Sequence, residues 1–389
     1  MNITIVFRKE LIDALRDRRT LTGALFYPLL GPLLMFLLFS VIVSTFSEQA
    51  DKLLVLPVQG AEHAPHLIEF LEQNRVQIEA APADPETEVR LGNLDVALII
   101  PASYGDDFRA GRPATVQIVM DESRQSASVN IQRTEGLLEI YSGQIGALRL
   151  LARGVSPITN HALAIERHDV STPQSQAAGF LNLMPYFIIF TVFTGGMGIA
   201  IDTTVGERER GSLEPLLINP VARAELVLGK LGVTLVFSLF AVVETLIGFT
   251  LMLNFVPLDE LGVRVDLDPL AIVGIFLMAA PMVLLAGSLQ MIIASFTRSY
   301  KEAQNYLGLL PLVPALPGMF LAYLPVKPEV WNMLIPTFGQ QLLINQLMRG
   351  ETLNILHVLL SVSLTLLVGA TLTWLAIRLY EGEQVVLGR

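Results

Sequence analysis

From Leu231 to Leu258 the chain carries a single charge, Glu244, in an otherwise apolar stretch. A run that long with no polar face cannot lie on the surface of a soluble domain, and about 20 such residues suffice to cross a bilayer as a helix. Runs of this kind recur. They place candidate spans at about 21–46, 180–201, 226–254, 268–296, 304–325 and 355–378. Composition agrees: of 389 residues 52% are hydrophobic and only 16% charged, with a mean hydropathy of +0.56. Soluble proteins carry roughly a quarter charged residues. The sequence therefore predicts a polytopic α-helical membrane protein with six transmembrane helices.

Basic residues orient such spans, because short cytoplasmic loops collect Lys and Arg. Thirteen of the 26 lie in segments 1–20, 202–230 and 297–303 and at Arg378 and Arg389. Three, Arg264, Lys327 and Arg349, lie in the short loops on the other side, and ten fall within 47–178. A long translocated segment carries charge with little effect on topology. Both termini are thus expected in the cytoplasm and residues 47–178 outside it. The first span, at 21–46, is too long for the apolar core of a signal peptide and reads as an uncleaved anchor.

Within 47–178 the apolar runs shorten. KLLVLPV, VQIEA, VALIIP and ATVQIVM predict strands, while HLIEFLEQN and 126–153 predict helices. An α/β domain inserted between the first and second spans follows, with eighteen acidic residues against ten basic. Residues 1–20 contain Arg8, Lys9, Arg16, Arg18 and Arg19, and Ile3, Phe7, Leu11, Ala14 and Leu15 fall at helical spacing. This predicts an amphipathic helix on the cytoplasmic surface. The FGQQLLINQL stretch, in the outer loop at 326–354, is too polar and short to span and predicts an interfacial or re-entrant helix. The five spans after the inserted domain make up a bundle at 179–389.

Several chemistries are excluded. The chain has no cysteine, which removes disulfides, thiolate metal sites and cysteine nucleophiles together. A net charge of −10 argues against nucleic acid, whose binding depends on neutralised phosphates. Gly229-Lys230 resembles the end of a phosphate-binding loop, but Ala224 and Leu231 occupy positions where that motif needs Gly and Ser or Thr. The five histidines have no metal-ligand spacing, and no serine nucleophile elbow is present.

Ionisable groups within a membrane are costly and so become candidates for function. Glu244 lies mid-span; it either takes part in a cation route or is held by Ser238, Thr245 or a neighbouring helix. Asn182, Thr191, Thr194, Gln290 and Asn305 could add hydroxyl and amide oxygens to such a route, or serve as helix–helix hydrogen bonds.

One charged strip, TTVGERERGSLEPLLINPVARAELVLGK (203–230), separates two spans, within a predicted cytoplasmic loop at 202–225. On a helix Glu207 would pair with Arg210, and Arg210 with Glu214. A first helix is expected to end near Arg210-Gly211, with a second starting at Leu213 to Pro215. Leu213, Leu216 and Leu217 in so charged a loop call for an apolar surface, either lipid or a partner protein.

Glu-Arg-Glu-Arg-Gly-Ser-Leu-Glu, followed by Leu-Leu, a Pro and a Gly-Lys, resembles the cytoplasmic-loop signature of the ABC type-2 permease family. The opening FRKELIDALRDRRTLTGALFYPLLGPLL and the plan of one span, a large outer domain and five more spans resemble its sodium-exporting, NatB-type members. LLINQLMRGE matches the same group, so the resemblance covers essentially the whole chain. It implies a permease in a bacterial inner membrane, forming a homodimer or paralogue heterodimer and bound to two separate cytoplasmic ATPase subunits. ATP and magnesium would sit on those subunits, with no cofactor on this chain. It further implies that Glu207, Arg208, Glu209, Arg210, Gly211, Leu213, Glu214, Pro215, Leu216 and Leu217 form the coupling element in the ATPase, its glutamates facing basic residues of that partner. The N-terminal helix would be a second contact. Sodium export is the expected activity. Export of a hydrophobic drug, lipid or polysaccharide, or mechanical transmission to periplasmic partners, are the alternatives.

Overall fold

The computed structural model describes residues 2–51, 53–124, 127–160, 181–212, 215, 221–256, 268–321, 324 and 326–382. Contacts divide the chain into two compact units, Met1–Ser44 with Val170–Arg389, and Thr45–Asp169. The chain begins with helix α1 (Asn2–Arg16) and continues in α2 (Arg18–Asp51), whose stretch Thr20–Ser44 is long and apolar enough to span a membrane.

The unit Thr45–Asp169 is a four-stranded sheet with helices. In order it comprises β1 (Leu54–Gln59), α3 (Pro65–Gln73), β2 (Val76–Ala80), α4 (Pro85–Leu91), β3 (Val96–Ile99), α5 (Tyr104–Arg109), β4 (Gln117–Met120) and α6 (Ser128–Ala152). The strands lie in the order β2-β1-β3-β4. β1 pairs in parallel with β2 (Leu54 opposite Val76) and with β3 (Val58 opposite Leu98), while β4 runs antiparallel at the edge. The parallel strands β1 and β3 are rich in buried apolar residues (Leu54, Leu56, Val58, Val96, Leu98), as strands covered on their faces require. Leu67 and Leu71 of α3 and Ile131 of α6 complete the core. All four segments read as strands from their residues are strands. Their order, which alternation cannot supply, comes only from the pairing.

The second unit continues with α7 (Met184–Glu209), α8 (Arg223–Phe255), α9 (Pro269–Phe296), α10 (Tyr300–Leu309), α11 (Leu312–Leu321), α12 (Val330–Met333), α13 (Phe338–Met348) and α14 (Ile355–Glu381). With α2, four of these helices (α7, α8, α9 and α14) make five, among the described residues, with the length and apolarity to cross a membrane. The core joins Ile188 and Val192 of α7, Phe249 of α8, Ala279 and Met282 of α9 and Leu343 of α13.

One feature departs from the sequence reading. The stretch expected as one span at 304–325 is two helices, parted at Leu310 and Pro311. A proline has no N–H to donate and its ring crowds the preceding turn, and Pro314 and Pro317 follow within α11. The FGQQLLINQL stretch is a helix, α13, and Gly339 through Asn345 are all buried.

Prolines inside α2 are accommodated locally. Pro32 cannot supply the N–H that the Pro28 carbonyl would receive in a regular helix, and the Thr245 hydroxyl donates to that carbonyl at 2.9 Å instead. A span holding Pro28 and Pro32 thereby gains a fixed neighbour, α8.

Candidate functional site

The charged strip does not begin a separate loop helix. It is the end of α7, which continues past Ile201 through a π-helical turn, Asp202–Gly206, to Glu209. Such turns insert a residue into the helical register and are frequent at functional sites. The helix then closes with Ser212 N donating to Glu207 O at 3.0 Å and Gly211 N to Arg208 O at 3.1 Å. This is a Schellman ending, and it needs the positive φ of Gly211, 66°. The predicted stop at Arg210-Gly211 is where the helix ends.

Each charge of the Glu-Arg-Glu-Arg tetrapeptide finds a partner within this chain. Glu207, 4% exposed, accepts from Lys230 Nζ at 2.5 Å through Oε2 and from Lys9 Nζ at 2.9 Å through Oε1. Arg208 donates to the carbonyls of Ser295, at 3.1 Å, and of Thr297. Glu209 accepts the backbone N–H of Tyr300 at 3.0 Å, and Arg210 donates to Asp202 at 2.8 Å. The expected pairing of Glu207 with Arg210 is therefore absent. Lys230 and Lys9 occupy Glu207, and the π-turn brings Asp202 back under Arg210. Nor does Glu207 face outward to meet a partner, since it is buried.

Lys230, in sequence a cytoplasmic basic residue and the Lys of the Gly-Lys pair, is the centre of the arrangement. It is fully buried and its ammonium donates to Glu207, to Glu10 at 3.1 Å and to the Thr203 carbonyl at 2.8 Å. Three acceptors match its three protons. Glu10 comes from α1, which packs on α8 through Val6. A Cβ at Gly229 would stand 2.6 Å from Val6 Cγ1, so only glycine admits the helix this closely. The buried face of α1 is thus Val6, Glu10 and Ala14, while Ile3 and Leu15 are 39% and 53% exposed. Of the predicted face, Ala14 is buried and Phe7 and Leu11 pack partly buried against the same cluster. Lys9 binds Glu10 at 3.0 Å as well as Glu207. Burial opposes its charge, but the hydrogen bond to Glu207 and the charges of Glu10 and Glu207 hold the ammonium above the ordinary lysine value. A clue was present in the sequence: Glu10 shares a face with apolar Val6 and Ala14, and Lys230 sits between two glycines at the head of an apolar helix.

Leu213, Glu214, Leu216 and Leu217 lie outside the described residues; Pro215 is helical and exposed.

The remaining candidates are not gathered in one place. Thr191 and Thr245 share a 3.1 Å hydrogen bond between α7 and α8. Gln290 is fully buried and donates to the Phe193 carbonyl at 2.6 Å, beside the break in α7 at Gly195-Gly196. Thr194 donates to Phe190 O and lines a cleft of about 470 Å³ with Tyr27 of α2 and Tyr300 and Gln304 of α10. Asn182 accepts from Arg349 at 3.3 Å, and Asn305 is exposed on α10. Glu244 is half-buried, and no donor among the described residues reaches its Oε2.

Five span-length apolar helices and a buried ion network at the charged end of a bundle define a polytopic helical membrane protein. The family model described as ABC-2 family transporter protein matches residues 23–378, and the chain belongs to that family. It is 27% identical over 357 residues to the ABC transporter permease protein NatB of Bacillus subtilis (strain 168), with 89% of each chain covered. It is 26% identical over 198 residues to the inner membrane transport permease YhhJ of Escherichia coli (strain K12), covering 48% of this chain and 50% of that one. No solved structure matches it. Permeases of this family work with a separate cytoplasmic subunit that hydrolyses ATP.

Proposed function

We propose that this permease exports sodium outward across a bacterial inner membrane, driven by ATPase subunits seated against the 211–222 turn. Six crossings carry the chain, the sixth formed jointly by α10 and α11. Both termini then lie in the cytoplasm and the Thr45–Asp169 unit outside, in keeping with thirteen basic residues on one side and three in the short loops of the other. The protein acts as a dimer. Sodium is the cargo suggested by the resemblance to NatB-type exporters.

The observation that carries the coupling reading is the Glu10–Lys230–Glu207–Lys9 network. It ties α1, the end of α7 and the head of α8 together a few residues from the turn. Displacement of that turn by an ATPase would therefore move three helices together. Leu213, Leu216 and Leu217 anchor the turn in a cleft of the partner, with Pro215 limiting its freedom. Buried Glu207 supports the turn from behind, while Glu209 and Arg210 are exposed on the side the partner would meet.

Glu244 is placed on the cation route, because a carboxylate in an apolar span is costly to keep without a use. The test is ATP-dependent sodium uptake into inverted proteoliposomes holding the permease and its ATPase, with the membrane potential collapsed. Uptake that falls in Glu244→Gln at unchanged protein yield supports both cargo and route. ATP hydrolysis with no sodium movement removes sodium as the cargo.

A further inference from the structure

We propose that a pocket at the junction of α11 and α13 holds the phosphate of an anionic phospholipid, met by Arg349 and Lys327, with an acyl chain along α11. Such a lipid is a bound partner of the permease, whatever cargo the permease moves.

The pocket has a volume of about 280 Å³. Leu321, at the end of α11, and Leu342 of α13 form part of its apolar wall, and Lys327, Asn345, Gln346, Arg349 and Glu351 form its polar wall. It lies at the opposite end of the bundle from the buried ion network. Arg349 donates to Asn182 at 3.3 Å, two residues before α7 begins, whereas Glu207 stands in the last turn of α7.

Positive charge and hydrogen-bond donors are left over in this pocket. Arg349 and Lys327 form no ion pair among the described residues. The Arg349 guanidinium has Asn182 on Nη2, while its buried Nε has no acceptor among the described residues. Asn345 is buried, and its side-chain amide makes no hydrogen bond among the described residues. Glu351 adds one carboxylate, and that accepts from Gln346 Nε2 at 3.3 Å. Two cations thus outweigh one carboxylate. A buried donor without an acceptor is costly. A phosphate, with negative charge and several acceptor oxygens, removes that deficit through charge-assisted bonds.

A helix C-terminus on its own disfavours an anion, but the end of α13 is closed. Glu351 N donates to Gln346 O at 2.9 Å and Gly350 N to Leu347 O at 3.1 Å, with Gly350 at φ 69°. Those carbonyls are committed within the chain, and the same turn sets Arg349 and Glu351 at the pocket.

The apolar surface beside the pocket favours a lipid over a free ion. Val313, Leu316 and Phe320 of α11 are exposed and fall three and four residues apart, on one helix face. The stripe reaches Leu324, which keeps the helical register by donating its N–H to Phe320 O at 2.9 Å and itself lines the pocket. An acyl chain lying on this stripe ends with its headgroup at Lys327 and Arg349. These are also two of the three basic residues in the short loops on that side of the topology, where basic residues are scarce. Basic pockets between spans are the means by which membrane proteins recognise anionic headgroups.

The experiment uses the purified full-length permease, stripped of lipid in detergent. Phosphatidylglycerol, phosphatidylcholine with the same chains, or inorganic phosphate is titrated in, and bound lipid is counted by native mass spectrometry beside the melting temperature. Saturable retention of phosphatidylglycerol is expected, roughly tenfold or more tighter than phosphatidylcholine, with a rise in melting temperature that inorganic phosphate does not give. Lys327→Gln removes one cation from an exposed side chain and should weaken phosphatidylglycerol retention roughly fivefold. Arg349→Gln should weaken it further, and Arg349→Lys should recover part of the loss. Because Arg349 also braces Asn182, the Lys327 variant decides the matter should Arg349→Gln fail to fold. Equal retention of the two lipids, or phosphatidylglycerol affinity unchanged in Lys327→Gln and Arg349→Gln, overturns the site. A rise in melting temperature with inorganic phosphate equal to that with phosphatidylglycerol assigns the pocket to a free anion and overturns the lipid.

Discussion

The Glu207 carboxylate and the Lys230 ammonium meet at 2.5 Å across 23 residues of chain, with side chains 6% and 0% exposed. The pair joins the last turn of one span to the first turns of the next, and Glu10 brings the N-terminal helix into the same contact. Buried ions this well matched are costly to separate, because removing one leaves the other charged in a poorly solvated place.

Lys230→Met should therefore lower the stability of the purified permease by about 3–5 kcal/mol, the usual cost of leaving buried charge uncompensated. Adding Glu207→Gln to Lys230→Met should restore part of it, since one of the two stranded carboxylates is gone and Lys9 still meets the other, Glu10. Apparent melting temperatures of the two single variants and the double form the cycle. An unchanged melting temperature in Lys230→Met would contradict the network.

Lys9 sets the pH response of the N-terminal helix. Its pKa is raised despite burial, through the hydrogen bond to Glu207 and the charges of Glu10 and Glu207. A raised value means that its contribution is complete below the ordinary lysine value, about 10.4, and is lost as pH climbs through the folded-state value. Attachment of α1 should thus be flat through the neutral range and weaken only in strong alkali. A fluorophore pair on α1 and α8 would report the separation against pH. Lys9→Met should shrink the alkaline limb while costing under about 1 kcal/mol at neutral pH, because the side chain is 44% exposed.

Thr245→Val should cost about 1–2 kcal/mol by leaving the Pro28 carbonyl without a donor in an apolar setting. It also breaks the hydrogen bond to Thr191. Thr245→Ser keeps the hydroxyl and should melt close to the unaltered protein. Equal melting of all three would show that the Pro28 carbonyl is satisfied in another way.

Leu213→Ala with Leu216→Ala should abolish co-purification of the ATPase while membrane insertion and melting temperature stay the same. None of the buried network's bonds, among Lys9, Glu10, Glu207 and Lys230, is made by these leucines. Full recovery of the ATPase with the variant would place the contact elsewhere.

Strands β1 to β4 and helix α3 were legible in the sequence because short apolar runs and helical spacing are local properties. The order of the strands was not, since nothing in the run from Leu54 to Gln59 says which segments will flank it. The stop at Gly211 was legible for the same local reason: a glycine after a charged helical turn is itself a signal. Partner choice was not legible. Spacing along a helix pairs Glu207 with Arg210, whereas Glu207 takes Lys230 and Lys9, and Arg210 takes Asp202. Local spacing offers only residues three or four apart, and the π-turn alters even that register. The burial of Glu10 on α1 was not legible on the same ground, because it counts as polar until a buried lysine receives it.

By itself the sequence determined that the chain must enter a membrane, since apolar runs such as 231–258 have no stable alternative in water, and it marked the strip at 207–217 by its departure from them. Only the tertiary structure decided what the charges do. Lys230 and Glu10 are ordinary residues in one dimension. They become the centre of the site when α1 settles into the notch at Gly229 and excludes the water that would otherwise have screened them.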